Sequence, residues 1–172
     1  MFRTALVVML AAALIVSLGC RRASESVAEK MVAHAIEKEG GGKADVNLHD
    51  GKIDIKTKDG EMSMTAGGGA KIPEDFPKDV LVVKNAKILA AIKVPDGFSL
   101  SMESKDSVEK LMDQYTAEMK AQGWTTETTM NMGEQMVTSF AKDKRKAAVM
   151  IAKGGEGSQL TITVTQEKGS AQ

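Results

Sequence analysis

Hydrophobic positions change their period along the chain, and each change marks an element. Over SESVAEKMVAHAIEKEGGG, Val27, Ala28, Met31, Val32, Ala35 and Ile36 recur on one stripe at helical spacing. Ser26 with Glu29 has capping-box spacing, and Gly40 to Gly42 supply a stop. The period then drops to two. In ADVNLHDGKIDIKTKDGEMSMTA, Val46 and Leu48, Ile53 and Ile55, and Met62 and Met64 alternate with polar residues, and two Asp-Gly pairs mark tight turns. This pattern predicts a three-stranded meander with one apolar face, covered by the first helix.

GGGAKIPEDFPKD interrupts the pattern and reads as a linker. KILAAIKVPDGFSLSMESK then gives two strands about a Pro-Asp-Gly turn, with Phe98, Leu100 and Met102 alternating. DSVEKLMDQYTAEMKAQGW is the clearest helix. Asp106 and Glu109 are placed to cap its start, and Val108, Leu111, Met112, Tyr115 and Met119 form its inward stripe. Gly123 falls where a left-handed residue ends a helix, with Trp124 as the hydrophobic clasp. TTETTMNM, EQMVTSFAK, KAAVMIAKG and QLTITVTQ, separated by short turns, predict an antiparallel set.

The expected fold is therefore α+β: a small helix-plus-meander lobe, a linker, then a β-β-α-β-β-β-β unit with one long helix on an antiparallel sheet. The expected divisions are 1–19 as a signal, 20–25 as a tether, 26–66 as the small lobe and 67–79 as the linker. Residues 80–168 form the α+β domain, and 169–172 a disordered tail.

Composition narrows the function classes. The chain has 172 residues, 23 basic and 23 acidic, so it lacks the basic excess that neutralises nucleic-acid phosphates. Aromatic residues make up 3%, too few for base- or sugar-stacking platforms.

The N-terminus changes the picture most. Arg3 precedes the apolar run ALVVMLAAALIV, which ends at SLGC and is followed by Arg21 and Arg22. A charged start, a short apolar run and small residues before a cut describe a secretory signal. The run is shorter than the ~20 residues a membrane span needs. Gly19 and Cys20 resemble the end of a bacterial lipobox, although Ser17 and Leu18 depart from its commonest order. That resemblance implies cleavage between Gly19 and Cys20, a diacylglycerol on the Cys20 thiol, and often an acyl group such as palmitate on the new amine. An uncleaved apolar anchor and a chance cysteine are the alternatives. A disulfide is excluded, because Cys20 is the only cysteine. Arg21 stands after the cysteine in place of the aspartate associated with inner-membrane retention, so the expected location in a Gram-negative cell is the periplasmic face of the outer membrane.

Pro73 to Val80 (PEDFPKDV) and VEKLMDQYTAEMKAQGW are similar to a group of uncharacterised bacterial envelope lipoproteins, which pair a helix-plus-hairpin lobe with an α+β unit whose helix ends in Gly-Trp. The similarity runs across most of the mature chain. It implies the fold and the envelope location and lends no catalytic residue.

Candidate chemistry is sparse. His34 and His49 match neither a metalloprotease helix nor a zinc cluster. EGGGKA at 39–44 fails the phosphate-loop pattern, and no serine sits in a nucleophile elbow. In MNMGEQM, Met130, Met132 and Met136 suggest a thioether set for Cu(I), against the plainer reading as core filler. KDKRK at 142–146 reads as a solvated hairpin tip, with anionic lipid head groups as the sharper alternative. The expectation is a lipid-anchored, non-enzymatic binding or structural module needing no cofactor. Its partners are the membrane and an envelope protein or polymer, not nucleic acid. A small-ligand or soft-metal binder is the alternative, and an envelope hydrolase stands last.

Overall fold

The computed structural model describes residues 22–40, 42–47, 49–57 and 60–166. The signal, Cys20 and the 169–172 tail lie outside them. The architecture mixes helix and strand but is dominated by the sheet. The elements are α1 (Arg22–Gly40), β1 (Lys43–Asn47), β2 (Lys52–Thr57), β3 (Gly60–Ala66), β4 (Lys87–Val94) and β5 (Gly97–Ser104). α2 (Val108–Ala121), β6 (Thr125–Asn131), β7 (Gln135–Lys142), β8 (Arg145–Gly154) and β9 (Gly157–Gln166) follow. All nine strands form one antiparallel sheet in the order β1-β2-β3-β4-β5-β9-β8-β7-β6.

Three features depart from the sequence expectations. α1 begins at Arg22 instead of Ser26, because no glycine or proline between them stops a helix. The meander does not form a sheet of its own: β3 is hydrogen-bonded to β4, with Ser63 opposite Lys93 and Ala66 opposite Ala90. The stretch expected to be a linker, 67–79, contributes Phe76 to the core, ahead of Val80 and Val83 in the segment that follows it. After a 3-10 turn at Gly67–Gly69, Phe76, Val80 and Val83 are buried, and Phe76 meets Phe98 edge to face at 5.6 Å.

α2 is held at both ends by its own sequence. Ser107, not Asp106 or Glu109, is the N-cap, its side chain accepting from the Lys110 N–H. At the other end Gly123 has φ +84°, and the Trp124 N–H donates to the Met119 carbonyl, closing the helix as the Gly-Trp pair predicts. Val108, Leu111, Met112, Tyr115 and Met119 all point into the core, against Leu100, Met102, Phe140, Val149, Ile151, Leu160 and Ile162. Each such side chain, when fully buried, contributes about 1.5–3 kcal/mol. At the start of the helix, the Ser158 hydroxyl on β9 donates to the Asp106 carbonyl.

The apolar side of the sheet switches faces along its width. Residues opposite one another in a ladder share a face. One such row runs Thr65, Ala91, Leu100, Ile162, Val149 and Thr138, and its β7–β8 part lies under α2, where the Thr138 hydroxyl meets the Met112 sulfur. The neighbouring row runs Val46, Ile53, Met64, Ile92, Ser99, Thr163, Ala148 and Ser139 on the opposite face. Thus β1 to β4 present apolar side chains on the face turned away from α2, where β5 and β9 present hydroxyls. The change falls at β4, whose ladder with β5 is irregular between Ile88 and Ala90.

Candidate functional site

The half-buried apolar patch on β1–β4 holds a cleft of about 610 Å³. Ile53 and Met64, a cross-strand pair, form its floor with Ala66, and His49, Asp50 and Gly67–Gly69 form its rim. The rim needs glycine. Gly51 has φ +61°, its carbonyl accepts from the Ala66 N–H at 2.9 Å, and a β-carbon there would sit 2.2 Å from the Ala66 carbonyl oxygen. A β-carbon on Gly69 would sit 2.6 Å from the Asp50 carbonyl oxygen, so the turn after β1 and the 3-10 turn touch backbone to backbone. Asp50 is fixed by Asn47, which accepts from the Asp50 N–H through Oδ1 and donates to the Asp50 carboxylate through Nδ2. The result is an apolar floor with one imidazole and one oriented carboxylate at the edge. That combination suits an apolar ligand with a single polar end.

A second, shallower depression of about 560 Å³ lies along Ile72–Val82, beside Glu118 and Gln122 of α2. It borders the most elaborate polar cluster among the described residues. Arg145 holds Asp79 with two parallel bonds, Nη1 to Oδ1 at 2.8 Å and Nη2 to Oδ2 at 2.7 Å. Lys142 Nζ donates to Asp79 Oδ2 at 2.7 Å and to the Gln122 carbonyl at 2.7 Å. Trp124 Nε1 donates to the Asp79 carbonyl at 2.8 Å, and the Arg145 guanidinium lies 5.0 Å from the Trp124 ring centroid. The Arg145 hydrogen bonds, reinforced by Lys142 and opposed by burial, hold the Asp79 carboxyl well below the usual carboxylate range. Both cations and the indole N–H bond to the fold itself, so the cluster ties the 73–83 segment to the end of α2 and to the β7–β8 hairpin.

The same contacts correct the reading of KDKRK. Lys142 and Arg145 face the core side and are committed to Asp79, while Asp143, Lys144 and Lys146 are exposed at the hairpin tip as expected. The methionine set is not brought together either. Asn131, not Met130, lies opposite Met136, so Met136 packs against the core while Met130 shares the other face with Val137 and Met150. Met132 is 57% exposed at the turn. His34 is exposed on α1, and His49 is exposed at the cleft rim. Of EGGGKA, Gly40 ends α1 and Lys43 begins β1, while GGEGS forms the β8–β9 hairpin. Among the described residues, no three His, Cys, Asp or Glu side chains are grouped to hold a metal ion.

Sequence reasoning missed both the cleft and the Asp79 cluster. Gly67–Gly69 and PEDFPKD carried the signal, but glycine and proline in a row read equally as a linker. Tyr115 adds one further feature. It is fully buried, its hydroxyl has no hydrogen-bond partner among the described residues, and burial pushes its pKa far above the usual phenol value.

A family model described as START domain-like matches residues 89–169, which take in most of β4, then β5, α2 and β6 to β9. The cleft residues 49–69 lie outside that match. No curated protein and no solved structure matches the chain.

Proposed function

We propose that this protein is a non-enzymatic binding module, held at the cell envelope by lipid on Cys20, which takes a small apolar ligand in the cleft at Ile53, Met64 and Ala66. The cleft carries the proposal. Its volume falls within the ~300–1,000 Å³ of ordinary ligand sites, and its apolar floor with a few polar rim groups is the composition such sites have. START-like domains are usually binding modules, which supports the same class of function. In this reading β4 to β9 with α2 form a β-β-α-β-β-β-β unit, and β1 to β3 with α1 form the lobe that meets ligand and membrane. Envelope placement rests on the charged start, the apolar run and the Gly19–Cys20 junction. Among the described residues no helix is long and apolar enough to cross a membrane.

Binding of a protein or polymer partner along a sheet edge is the second reading, and the edges favour it less. β6 is exposed along its whole length, rich in threonine, and its ladder is irregular between Thr126 and Thr128, which are devices that discourage strand addition. The test is titration of the mature, unlipidated chain with a fluorescent apolar dye, displaced by fatty acids of increasing length. Met64→Lys places an ammonium on the cleft floor and should weaken binding about tenfold or more. Equal affinity in wild type and a folded Met64→Lys variant would overturn the cleft as the site.

A further inference from the structure

We infer that the outward face of α1 is a docking surface for an anionic phospholipid membrane. Val27 and Met31 are 57% and 69% exposed, although the helical pattern marks them as apolar-stripe residues. Lys30, His34 and Lys38 stand three, seven and eleven residues after Val27, so with Met31 they share one face, and all are exposed. The acids sit to either side of this face. Glu29 falls on the half-buried side, and Glu37 lies at the flank, its Oε1 accepting from the Ala44 N–H. The outward stripe thus combines two apolar side chains with two lysines and a histidine, and the one exposed carboxylate that borders it, Glu37, is turned to the Ala44 N–H.

Charge complementarity selects the occupant. A face of isolated apolar residues flanked by lysines fits the boundary where acyl chains meet anionic head groups. A second copy would set lysine against lysine, and an acidic protein would leave Val27 and Met31 in water. The place of the helix in the chain agrees. α1 begins at Arg22, two residues after Cys20, so an anchored chain cannot carry this face far from the bilayer. This step rests in part on the proposed anchor, but the contact itself can be read independently of it.

The experiment uses the full chain, expressed in bacteria and reconstituted into vesicles containing brominated phospholipid. Met31→Trp adds a reporter to the stripe, Ala117→Trp adds one to the exposed side of α2, and the wild type supplies the Trp124 background. On vesicles with anionic lipid, Met31→Trp emission should be quenched and blue-shifted, and Ala117→Trp should not. Each of Lys30→Gln and Lys38→Gln should lower the docked-to-undocked ratio roughly fivefold, and high salt should do the same. Met31→Trp emission that stays water-like on vesicles retaining the chain overturns the inference. So does quenching equal on neutral and anionic lipid, or a blue shift that needs only a higher protein concentration without vesicles. Mass spectrometry of the same sample reads the anchor separately: quenching with an unmodified Cys20 upholds the α1 face and removes the lipid on Cys20.

Discussion

Asp79→Ala should be among the most destabilising single substitutions outside the apolar core, and its cost follows from the geometry. The carboxylate is 21% exposed, and Arg145 and Lys142 are each 25% exposed. Exposed pairs contribute about 0–1 kcal/mol, whereas truncating one partner of a buried pair costs about 3–5 kcal/mol. A doubly bonded carboxylate with a second cation, four-fifths buried, falls between them at about 2–3 kcal/mol. For a chain of this size that lowers Tm by roughly 8 °C. The Trp124 bond goes to the backbone carbonyl and survives the substitution, so the loss reports the carboxylate alone. Urea unfolding should show a lower midpoint at unchanged slope. A double-mutant cycle with Arg145→Ala should return a coupling of about 1–2 kcal/mol.

The pH dependence fixes the sign. The folded-state pKa of Asp79 is depressed by Arg145 and Lys142. Its contribution is therefore complete above the ordinary aspartate value of about 4 and is lost as pH falls from there toward the folded value. Wild type should lose stability below about pH 4 faster than Asp79→Ala, and the gap between them should narrow with acid. A midpoint within error of wild type at pH 7, or additive effects in the cycle, would show that the cluster is a surface ornament.

Other outcomes follow from the same contacts. Tyr115→Phe removes a hydroxyl that is buried without a partner and should raise stability by about 1 kcal/mol in urea unfolding; a loss of similar size would mean the hydroxyl is held. Gly123→Ala forces a β-carbon to φ +84° and should cost about 1–2 kcal/mol, read as a lower Tm with an unchanged dye affinity. Cys20→Ser should leave the fold intact, and should release the chain from membranes or leave it uncut; maturation and fractionation like wild type would end the lipid-anchor proposal. Because Met136 faces away from Met130, the Met130/Met132/Met136→Leu variant should bind Cu(I) as wild type does under a competing chelator. A hundredfold weaker variant would restore the metal reading.

Local signals in the sequence carried the elements well. The inward stripe of α2, its Gly123 stop and the short turns joining β6 to β9 were all legible, because capping, period and turn chemistry act within a few residues. What was not legible depends on register or on distant pairing. A one-residue shift in register turns a side chain to the other face. The β6–β7 register sets Asn131 against Met136, which removed the methionine cluster. The pairing of β3 with β4 crosses some twenty residues of loop, and nothing local in PEDFPKD announces that Asp79 will meet Arg145.

The face switch at β4 explains why the ligand proposal sits where it does. On the α2 side, the helix stripe and the 73–83 segment fill the space above β5 and β7 to β9, with Tyr115, Phe140, Leu100 and Met102 fully buried. A ligand there would have to displace packed side chains. On the other side, Ile53, Ile55, Met62, Met64 and Ile92 are only half-buried, and Ile53 and Met64 already line a cleft. The packed core and the proposed ligand cleft therefore lie on opposite faces of one sheet. Substitutions at Asp79, Tyr115 or Gly123 should move the unfolding midpoint without changing affinity. Met64→Lys should do the reverse. A variant at Asp79 that keeps its fold but loses dye binding would break that separation, and with it the reason for placing the ligand on β1 to β4.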